Sequence, residues 1–211
     1  PLRRLDLALV DRGLVRSRTA ARAAIEAGRV SVDGRAIVKP AHPVADTAGI
    51  EVDGDDRYVS RAALKLVTAL DASGIDVSGM LALDLGASTG GFTQVLLERG
   101  ARQVIALDVG HGQLAPELRA DPRVVVVEGE NARELDAPRL AAVSGITTRP
   151  DLVVGDLSFI SLRLILPAIV ATVGTEVPLV LLIKPQFEAG RQGVREGIVR
   201  DAAVREDAIM G

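Results

Sequence analysis

Lysine is rare in this chain, and its few positions point to chemistry that arginine cannot perform. Of the 25 basic residues only three are lysines, namely Lys39, Lys65 and Lys184. An arginine keeps its proton in a protein, whereas a lysine held close to a second cation can lose it and serve as a base. Lys184 follows an apolar run that predicts a strand, and Asp156 follows the apolar run before it.

We expect Lys65, Asp156 and Lys184 to form one catalytic cluster. Two neighbouring ammonium groups disfavour each other's charge, and a carboxylate between them would hold their geometry. The lysine that loses its proton would then act as a general base toward a hydroxyl group. Two plainer interpretations stay open: Asp156 and Lys184 could form a structural ion pair, and Lys65 could be a solvated helix residue.

A glycine-rich turn predicts the site of a second reactant. The apolar run 81–85 leads into a turn that contains Gly86, Gly90 and Gly91. Asp108 ends the next apolar run. Such a turn brings main-chain N–H groups close to a ligand, and an acid at the end of the second strand can accept hydrogen bonds from ribose hydroxyls. The pattern therefore indicates a cofactor that carries a nucleoside.

The details of this turn favour S-adenosylmethionine over a dinucleotide. Its glycines do not follow the G-x-G-x-x-G spacing that receives a pyrophosphate at a helix N-terminus. Asp84 would repel a pyrophosphate, but it suits a ligand with an ammonium and a sulfonium group. A deprotonated hydroxyl could attack the sulfonium methyl in line, where positioning dominates the rate. The alternatives are an ordinary βα turn of another doubly wound domain and a nucleotide-dependent oxidoreductase.

The elements that would position these residues alternate between strand and helix from residue 58 onward. Mostly continuous apolar runs, typical of strands covered on both faces, lie at 80–85, 103–108, 123–128, 151–155 and 178–183. Helices are predicted at 60–74, 90–99, 132–142 and 161–172, with a short turn near 114–119 and a last helix from Val199. We therefore predict an α/β fold with a doubly wound, Rossmann-like parallel sheet. Ligands of such a sheet bind at the carboxyl ends of its strands, where the polar residues named above lie.

The first 57 residues differ in pattern and in charge. Helices are predicted up to Gly13 and at 18–27, followed by a hairpin of 30–32 and 36–38, a strand at 50–52 and an acidic linker. Residues 1–40 carry a formal charge of +5, whereas the rest of the chain carries -8. This asymmetry predicts a small α+β module that binds a polyanion, although solvated helix faces are an alternative. The candidate contacts are Arg4, Arg16, Arg18, Arg22, Arg29 and Arg35.

The composition argues against several classes of site. The chain has no cysteine, which removes disulfides and thiolate chemistry. His42 and His111 lack metal-ligand spacing, so we expect no metal. No apolar run approaches the roughly 20 residues of a membrane span, and no signal peptide opens the chain. We therefore expect a cytoplasmic protein that does not contact a membrane.

Ordered motifs in both parts of the chain resemble a known family. Those of the first part are Arg4-Leu5-Asp6, Ser17-Arg18, Gly28-Arg29-Val30 and Val32-Asp33-Gly34. They are similar to the S4 RNA-binding domain. Those of the second part are Tyr58–Leu66, Leu83–Thr93 and Lys184–Glu188. Together, over essentially the whole chain, they resemble the TlyA (hemolysin A-like) family of ribosomal RNA ribose 2′-O-methyltransferases, which have an FtsJ/RrmJ-like catalytic domain.

The resemblance implies a role for each motif. Lys65, Asp156 and Lys184 would supply three members of a Lys-Asp-Lys-Glu tetrad, with Lys184 as the base. The cofactor would be S-adenosylmethionine, held by Asp84, Gly86, Ser88, Gly90, Gly91, Phe92, Asp108 and Asn131. Asn131 could equally cap the helix that follows it.

The resemblance also implies a substrate and a domain organisation. The partner would be ribosomal RNA, modified at a cytidine ribose. An S4-like domain with its linker would span residues 1–57, and a methyltransferase domain would span 58–211. The tetrad glutamate and the closing strands of the sheet have no counterpart before Gly211, so we expect that domain to be C-terminally incomplete. A catalytically silent RNA-binding or ribosome-assembly factor is the alternative function.

Overall fold

A computed structural model describes residues 2–53 and 57–188. The chain divides into two compact units, one ending at Arg61 and the other beginning at Ala62. The predicted helix from Val199 lies outside the described residues, as do most of the predicted linker 53–56 and any closing strands of the sheet. Within the described part of the chain, no helix combines the length and hydropathy needed to cross a bilayer.

The N-terminal unit packs two helices against short strands. Its elements are β1 (Leu2–Arg4), α1 (Leu5–Asp11), α2 (Arg18–Glu26), β2 (Val30–Val32), β3 (Arg35–Ala36), β4 (Pro43–Ala45) and β5 (Ile50–Val52). β1 pairs with β4, and β2 lies between β3 and β5. The buried core includes Leu5 and Leu9 of α1, Ile25 of α2 and Val30 of β2. The predicted α+β module is confirmed.

One local prediction in this unit was wrong for a physical reason. The first helix begins at Leu5 because residues 2–4 form β1, which pairs with β4 through main-chain contacts that a three-residue pattern does not signal. Arg16, a predicted RNA contact, lies between α1 and α2 and belongs to neither helix. α2 begins at Arg18 because the Ser17 side chain caps it by accepting a hydrogen bond from the Ala20 amide.

The second unit is a five-stranded parallel sheet with helical connections. Its strands are β6 (Leu81–Leu85), β7 (Gln103–Asp108), β8 (Val124–Glu128), β9 (Leu152–Gly155) and β10 (Leu179–Leu181). Its helices are α3 (Ala63–Ser73), α4 (Gly91–Glu98), α5 (Pro116–Arg119), α6 (Ala137–Ser144), α7 (Leu162–Val173) and α8 (Pro185–Glu188). One predicted helix, 132–142, is instead a 3₁₀ turn at 132–134 followed by α6. α6 starts late because Asp136 caps it through the Arg139 amide.

The strand order creates a crevice at one edge of the sheet. The strands lie in the order β10-β9-β6-β7-β8 and are all parallel. The chain moves outward from β6 through β7 to β8, then returns to the other side of β6 with β9. Loops that follow β6 and β9 therefore diverge, and a ligand crevice opens between them at the carboxyl ends of the strands. The predicted α/β sheet is confirmed.

Candidate active site

A cavity of about 430 Å³ lies at this reversal of strand order. The loops after four neighbouring strands line it, because parallel strands place their carboxyl ends at one edge of the sheet. The polar residues on its wall are Ser88, Asp108, Gln113, Glu130, Asn131, Asp156 and Ser158. Its volume falls in the range of small-molecule sites, roughly 300–1,000 Å³.

The loop after β6 is held in shape by Asp108 at the end of β7. One carboxylate oxygen of Asp108 accepts a hydrogen bond from the Ser88 amide at 2.8 Å, and the other accepts from the Gly110 amide at 2.7 Å. Ser88 adopts a left-handed backbone with φ of 49°, which is uncommon for a residue other than glycine. Asp108 thus fixes the loop while it also lines the cavity.

Gly86 is required by the close approach of two loops. A Cβ at this position would lie 3.3 Å from Leu157 Cδ2 and 3.4 Å from the carbonyl oxygen of Asp156. The φ of Gly86 is 79°, in the left-handed region that glycine tolerates. The glycine therefore lets the loop after β6 contact the loop that carries Asp156.

Four residues that the sequence assigned to the cofactor do not line the cavity: Asp84, Gly90, Gly91 and Phe92. Asp84 is fully buried within β6, and its Oδ2 accepts a hydrogen bond from the Thr93 hydroxyl at 2.7 Å. Phe92 points into the core and is 5 % exposed. The spacing of the motif predicts the loop, but it does not reveal which of its members line the cavity and which are buried between strand and helix.

Asp84 makes stability depend on pH. Burial raises its pKa from 3.8 to about 7, against a smaller opposing effect of the hydrogen bond from Thr93. Between about pH 4 and pH 7 the unfolded chain therefore loses a proton that the native protein retains. The contribution of Asp84 to the free energy of unfolding falls as pH rises through this window, by at most about 1.4 kcal/mol per pH unit, and is constant above it.

We expect Asp84→Asn to remove that dependence. The free energy of unfolding of the variant, relative to the unsubstituted protein, should increase from pH 4 to pH 7. Urea denaturation at a series of pH values measures it. Asp71→Asn, which removes an exposed carboxylate on α3, serves as the matched control. A constant difference between the Asp84 variant and the parent would show that the pKa of this carboxyl is the same in the native and unfolded states.

Gly90 is required by packing beneath the loop. It has a φ of 98°, and a Cβ built on it would overlap with the methyl groups of Leu114 and Leu118. We expect Gly90→Ala to lower the free energy of unfolding by about 1–3 kcal/mol, since it combines left-handed strain with overpacking. Gly112→Ala is the control, because Gly112 has a φ of 66° and nothing lies within 4 Å of its added Cβ. Equal losses in the two variants would rule out the packing contribution.

The structure brings the three predicted catalytic side chains together. Lys184 Nζ lies 2.7 Å from Asp156 Oδ1, and Lys65 Nζ lies 3.4 Å from Asp156 Oδ2. Asp156 and Lys184 are largely enclosed, with side chains 15 % and 16 % exposed, whereas Lys65 is 49 % exposed. Each oxygen of one carboxylate therefore faces one ammonium, and Asp156 also lines the cavity.

Two further residues of this region, Ser158 and Glu188, receive no role from the sequence. Ser158 Oγ accepts a hydrogen bond from Lys184 Nζ at 2.6 Å. Glu188 accepts hydrogen bonds from the Ser161 hydroxyl and from the Leu162 amide, the latter at 2.8 Å, at the start of α7. In the sequence, Ser158 and Glu188 are marked only by their closeness to Asp156 and Lys184, and this closeness is not enough to assign them a role.

Asn131 caps the turn after β8, which is one of the two interpretations that the sequence left open. Its side-chain oxygen accepts a hydrogen bond from the Arg133 amide at 3.1 Å and so caps the 3₁₀ turn. It also lines the cavity beside Glu130, which is ion-paired with Arg139. The residue can therefore face a ligand while it holds the turn after β8.

The predicted RNA-binding arginines of the N-terminal unit differ in their surroundings. Arg4 and Arg18 both contact the carboxylate of Asp6, which is fully buried, at 2.9 Å and 3.1 Å. Hydrogen bonds from Arg4 and then Arg18 hold the pKa of Asp6 well below its ordinary value. Arg22 pairs with Glu26 on α2 at 3.9 Å. Arg16 and Arg35 are exposed, and Arg29 is half-buried and donates to the carbonyl of Asp53.

Comparison with known proteins agrees with this architecture. Residues 3–48 match the S4 domain, and residues 58–210 match the FtsJ-like methyltransferase family. The chain is 51 % identical to the 16S/23S rRNA (cytidine-2′-O)-methyltransferase TlyA of Mycobacterium tuberculosis, over 98 % of this chain and 76 % of that protein. It is 44 % identical to Hemolysin A of Brachyspira hyodysenteriae, over 96 % of this chain and 83 % of that protein.

A solved structure shares the fold along nearly the whole chain. It comes from Streptococcus thermophilus and is provisionally assigned as a hemolysin, with a TM-score of 0.70 and 39 % identity. The match covers 99 % of this chain and 75 % of that one. With its S4 domain, its FtsJ-like sheet and its Lys-Asp-Lys cluster at the reversal of strand order, this chain belongs to the TlyA family of FtsJ-like methyltransferases.

Proposed function

We propose that this protein transfers a methyl group from S-adenosylmethionine to the 2′-hydroxyl of a cytidine ribose in ribosomal RNA. One observation carries the proposal: Lys65, Asp156 and Lys184 meet at the wall of the cavity. Relatives named as rRNA (cytidine-2′-O)-methyltransferases support the substrate. The family-model matches at 3–48 and 58–210 support the division into an S4-like domain, 1–57, and a methyltransferase domain from residue 58.

The donor set of the cavity suits the cofactor. Three carboxylates lie on its wall: Glu130 is ion-paired with Arg139 and Asp156 with two lysines, which leaves Asp108 to attract a cationic group and to disfavour a pyrophosphate. Asp108 would accept hydrogen bonds from ribose hydroxyls, because a carboxylate has lone pairs beyond the two that bind main-chain amides. Gly86 and Ser88 would contact the cofactor through the loop, and Asn131 would lie beside the adenine. S-adenosylmethionine supplies an electrophilic methyl group when it is bound.

Each side chain of the cluster would have its own role in the reaction. Lys184, the more enclosed lysine, would take the proton of the ribose hydroxyl. Asp156 holds the amine in place through its 2.7 Å contact. Lys65 contacts the other oxygen of the same carboxylate at 3.4 Å and would help to hold Asp156 in place. Fixed geometry of these groups supplies the larger part of the rate.

The N-terminal unit would hold the RNA by its backbone. Its arginines present positive charge to phosphates, whereas no Phe, Tyr or Trp occurs before Tyr58 to stack on bases. Recognition would therefore follow the shape and phosphate pattern of folded RNA. Since ribosomal RNA is the substrate, we infer that the protein acts in the cytoplasm.

Transfer of labelled methyl groups tests the proposal. Purified protein is incubated with labelled S-adenosylmethionine and with ribosomal subunits that lack the modification, and RNA digestion locates the label. We expect label on a ribose 2′-oxygen. RNA that binds but gains no label would support the silent assembly factor instead. Calorimetry with S-adenosylmethionine and with NAD separates the cofactors, and tighter binding of NAD would reject our assignment.

A further inference from the structure

Ser158 contacts the reacting amine of the catalytic cluster from a separate loop. Its Oγ lies 2.6 Å from Lys184 Nζ, a short hydrogen bond to a charged donor. The residue is exposed and lines the cavity together with Asp156. The hydroxyl thus lies between the amine and the cavity, and the proposed mechanism assigns it no role.

The surroundings of Lys184 Nζ determine where its lone pair points. Besides its bond to Cε, the nitrogen has three tetrahedral directions. Ser158 Oγ at 2.6 Å accepts a hydrogen bond from the nitrogen, whereas Asp156 Oδ1 at 2.7 Å is an ion-pair contact without hydrogen-bond geometry. The contact with the carbonyl oxygen of Asp156 is 3.5 Å long and therefore weak. In the neutral amine the Ser158 hydroxyl takes one N–H group, and a substrate hydroxyl can replace the weak contact with the carbonyl so that the lone pair faces it.

The loop that carries Ser158 is fastened to the segment that carries Lys184. Phe159 and Phe187 bring their ring centroids within 5.4 Å, although Phe159 is 91 % exposed. Glu188 accepts the Leu162 amide at 2.8 Å and also the Ser161 hydroxyl. Phe159 has a φ of 65°, a strained value that turns the loop directly after Ser158. These contacts hold Ser158 at a fixed distance from the amine.

We propose that Ser158 is a positioning residue that orients Lys184 so that its lone pair faces the ribose hydroxyl. Asp156 alone leaves the amine free to rotate about its Cδ–Cε bond, and Ser158 supplies the second fixed point. The inference deepens the proposed function and rests on it for the kinetic consequence. The contact itself can be measured in the free protein.

Competitive acetylation with trace acetic anhydride measures the contact without any turnover. The chain has only three lysines, so peptide mass spectrometry resolves each one, and Lys39 serves as the internal reference. We expect the acetylation rate of Lys184 relative to Lys39 to rise at least threefold in Ser158→Ala, because the amine loses one of its two close partners. Ser158→Thr, which keeps the hydroxyl, should restore the parent ratio. An unchanged ratio in Ser158→Ala overturns the inference.

Methyl-transfer kinetics provide the second measurement. We expect Ser158→Ala to lower kcat at least tenfold, with the KM for RNA and the Kd for S-adenosylmethionine changed less than twofold, and Ser158→Thr to recover most of kcat. Ser144→Ala is the matched control, because its hydroxyl bonds the Leu140 carbonyl within α6. An acetylation change without a fall in kcat refutes the positioning role. If Ser158→Ala changes the acetylation ratio but the parent protein transfers no methyl group, the proposed function is refuted, whereas the contact between Ser158 and Lys184 is still supported.

Discussion

Replacing Lys184 with alanine is expected to lower kcat for methyl transfer by about 10²–10⁴-fold, the usual contribution of a general base. The substitution removes the amine that lies 2.7 Å from Asp156, whereas Asp108, Ser88 and Asn131 keep their places on the cavity wall. Binding of S-adenosylmethionine should therefore change less than about threefold. Single-turnover methyl transfer and calorimetry measure the two effects separately.

The arginine variant distinguishes a base from a fixed charge. Lys184→Arg keeps a cation beside Asp156, but arginine does not give up its proton in a protein. We expect Lys184→Arg to be nearly as inactive as Lys184→Ala. Lys39→Ala, which removes the only lysine of the N-terminal unit, should retain full activity and serves as the control. Parent-like turnover in Lys184→Arg would assign Lys184 an electrostatic role and exclude it as the base.

Neutralising two arginines of the N-terminal unit is expected to weaken RNA binding more than about tenfold at physiological salt. Arg22 on α2 and Arg35 on β3 are both exposed, so Arg22→Gln/Arg35→Gln removes positive charge without uncovering a buried partner. Each phosphate contact contributes roughly 0.7–0.9 to the slope of log K against log salt concentration. The slope should therefore become shallower by about 1.4–1.8.

The choice of these arginines follows from the structure. Arg18 also belongs to the predicted RNA-binding set, but charge reversal there would place a second carboxylate beside the fully buried Asp6 and would confuse lost binding with lost folding. Arg99→Gln/Arg102→Gln changes the net charge equally in the other unit and is the control. Binding curves of both double variants at several salt concentrations decide the matter. Identical slopes for the two would remove Arg22 and Arg35 from the RNA interface.

The local pattern was sufficient to predict the sheet and the position of its site. Continuous apolar runs marked β6, β7, β8 and β9, since strands covered on both faces carry no polar alternation. The runs of β7, β9 and β10 are followed or ended by Asp108, Asp156 and Lys184, and parallel strands place such ends at one edge. Short elements were predicted less well. β1 and β4 have three residues each, and they form through pairing with each other rather than through any periodic pattern of their own.

The order of residue types was enough to predict the available chemistry: a lysine on a helix, an aspartate and a lysine after strands, a glycine turn followed by an acid, and a basic first module. Which residues face the cavity became clear from the folded chain alone. Asp84 and Gly90 belong to the same motif as Gly86 and Ser88, yet the first pair packs inward against Thr93 and Leu118. Ser158 and Glu188 acquired partners 26 residues away. The reason is that the order of residue types specifies local backbone geometry, whereas the facing of a side chain depends on contacts between segments that only the folded chain brings together.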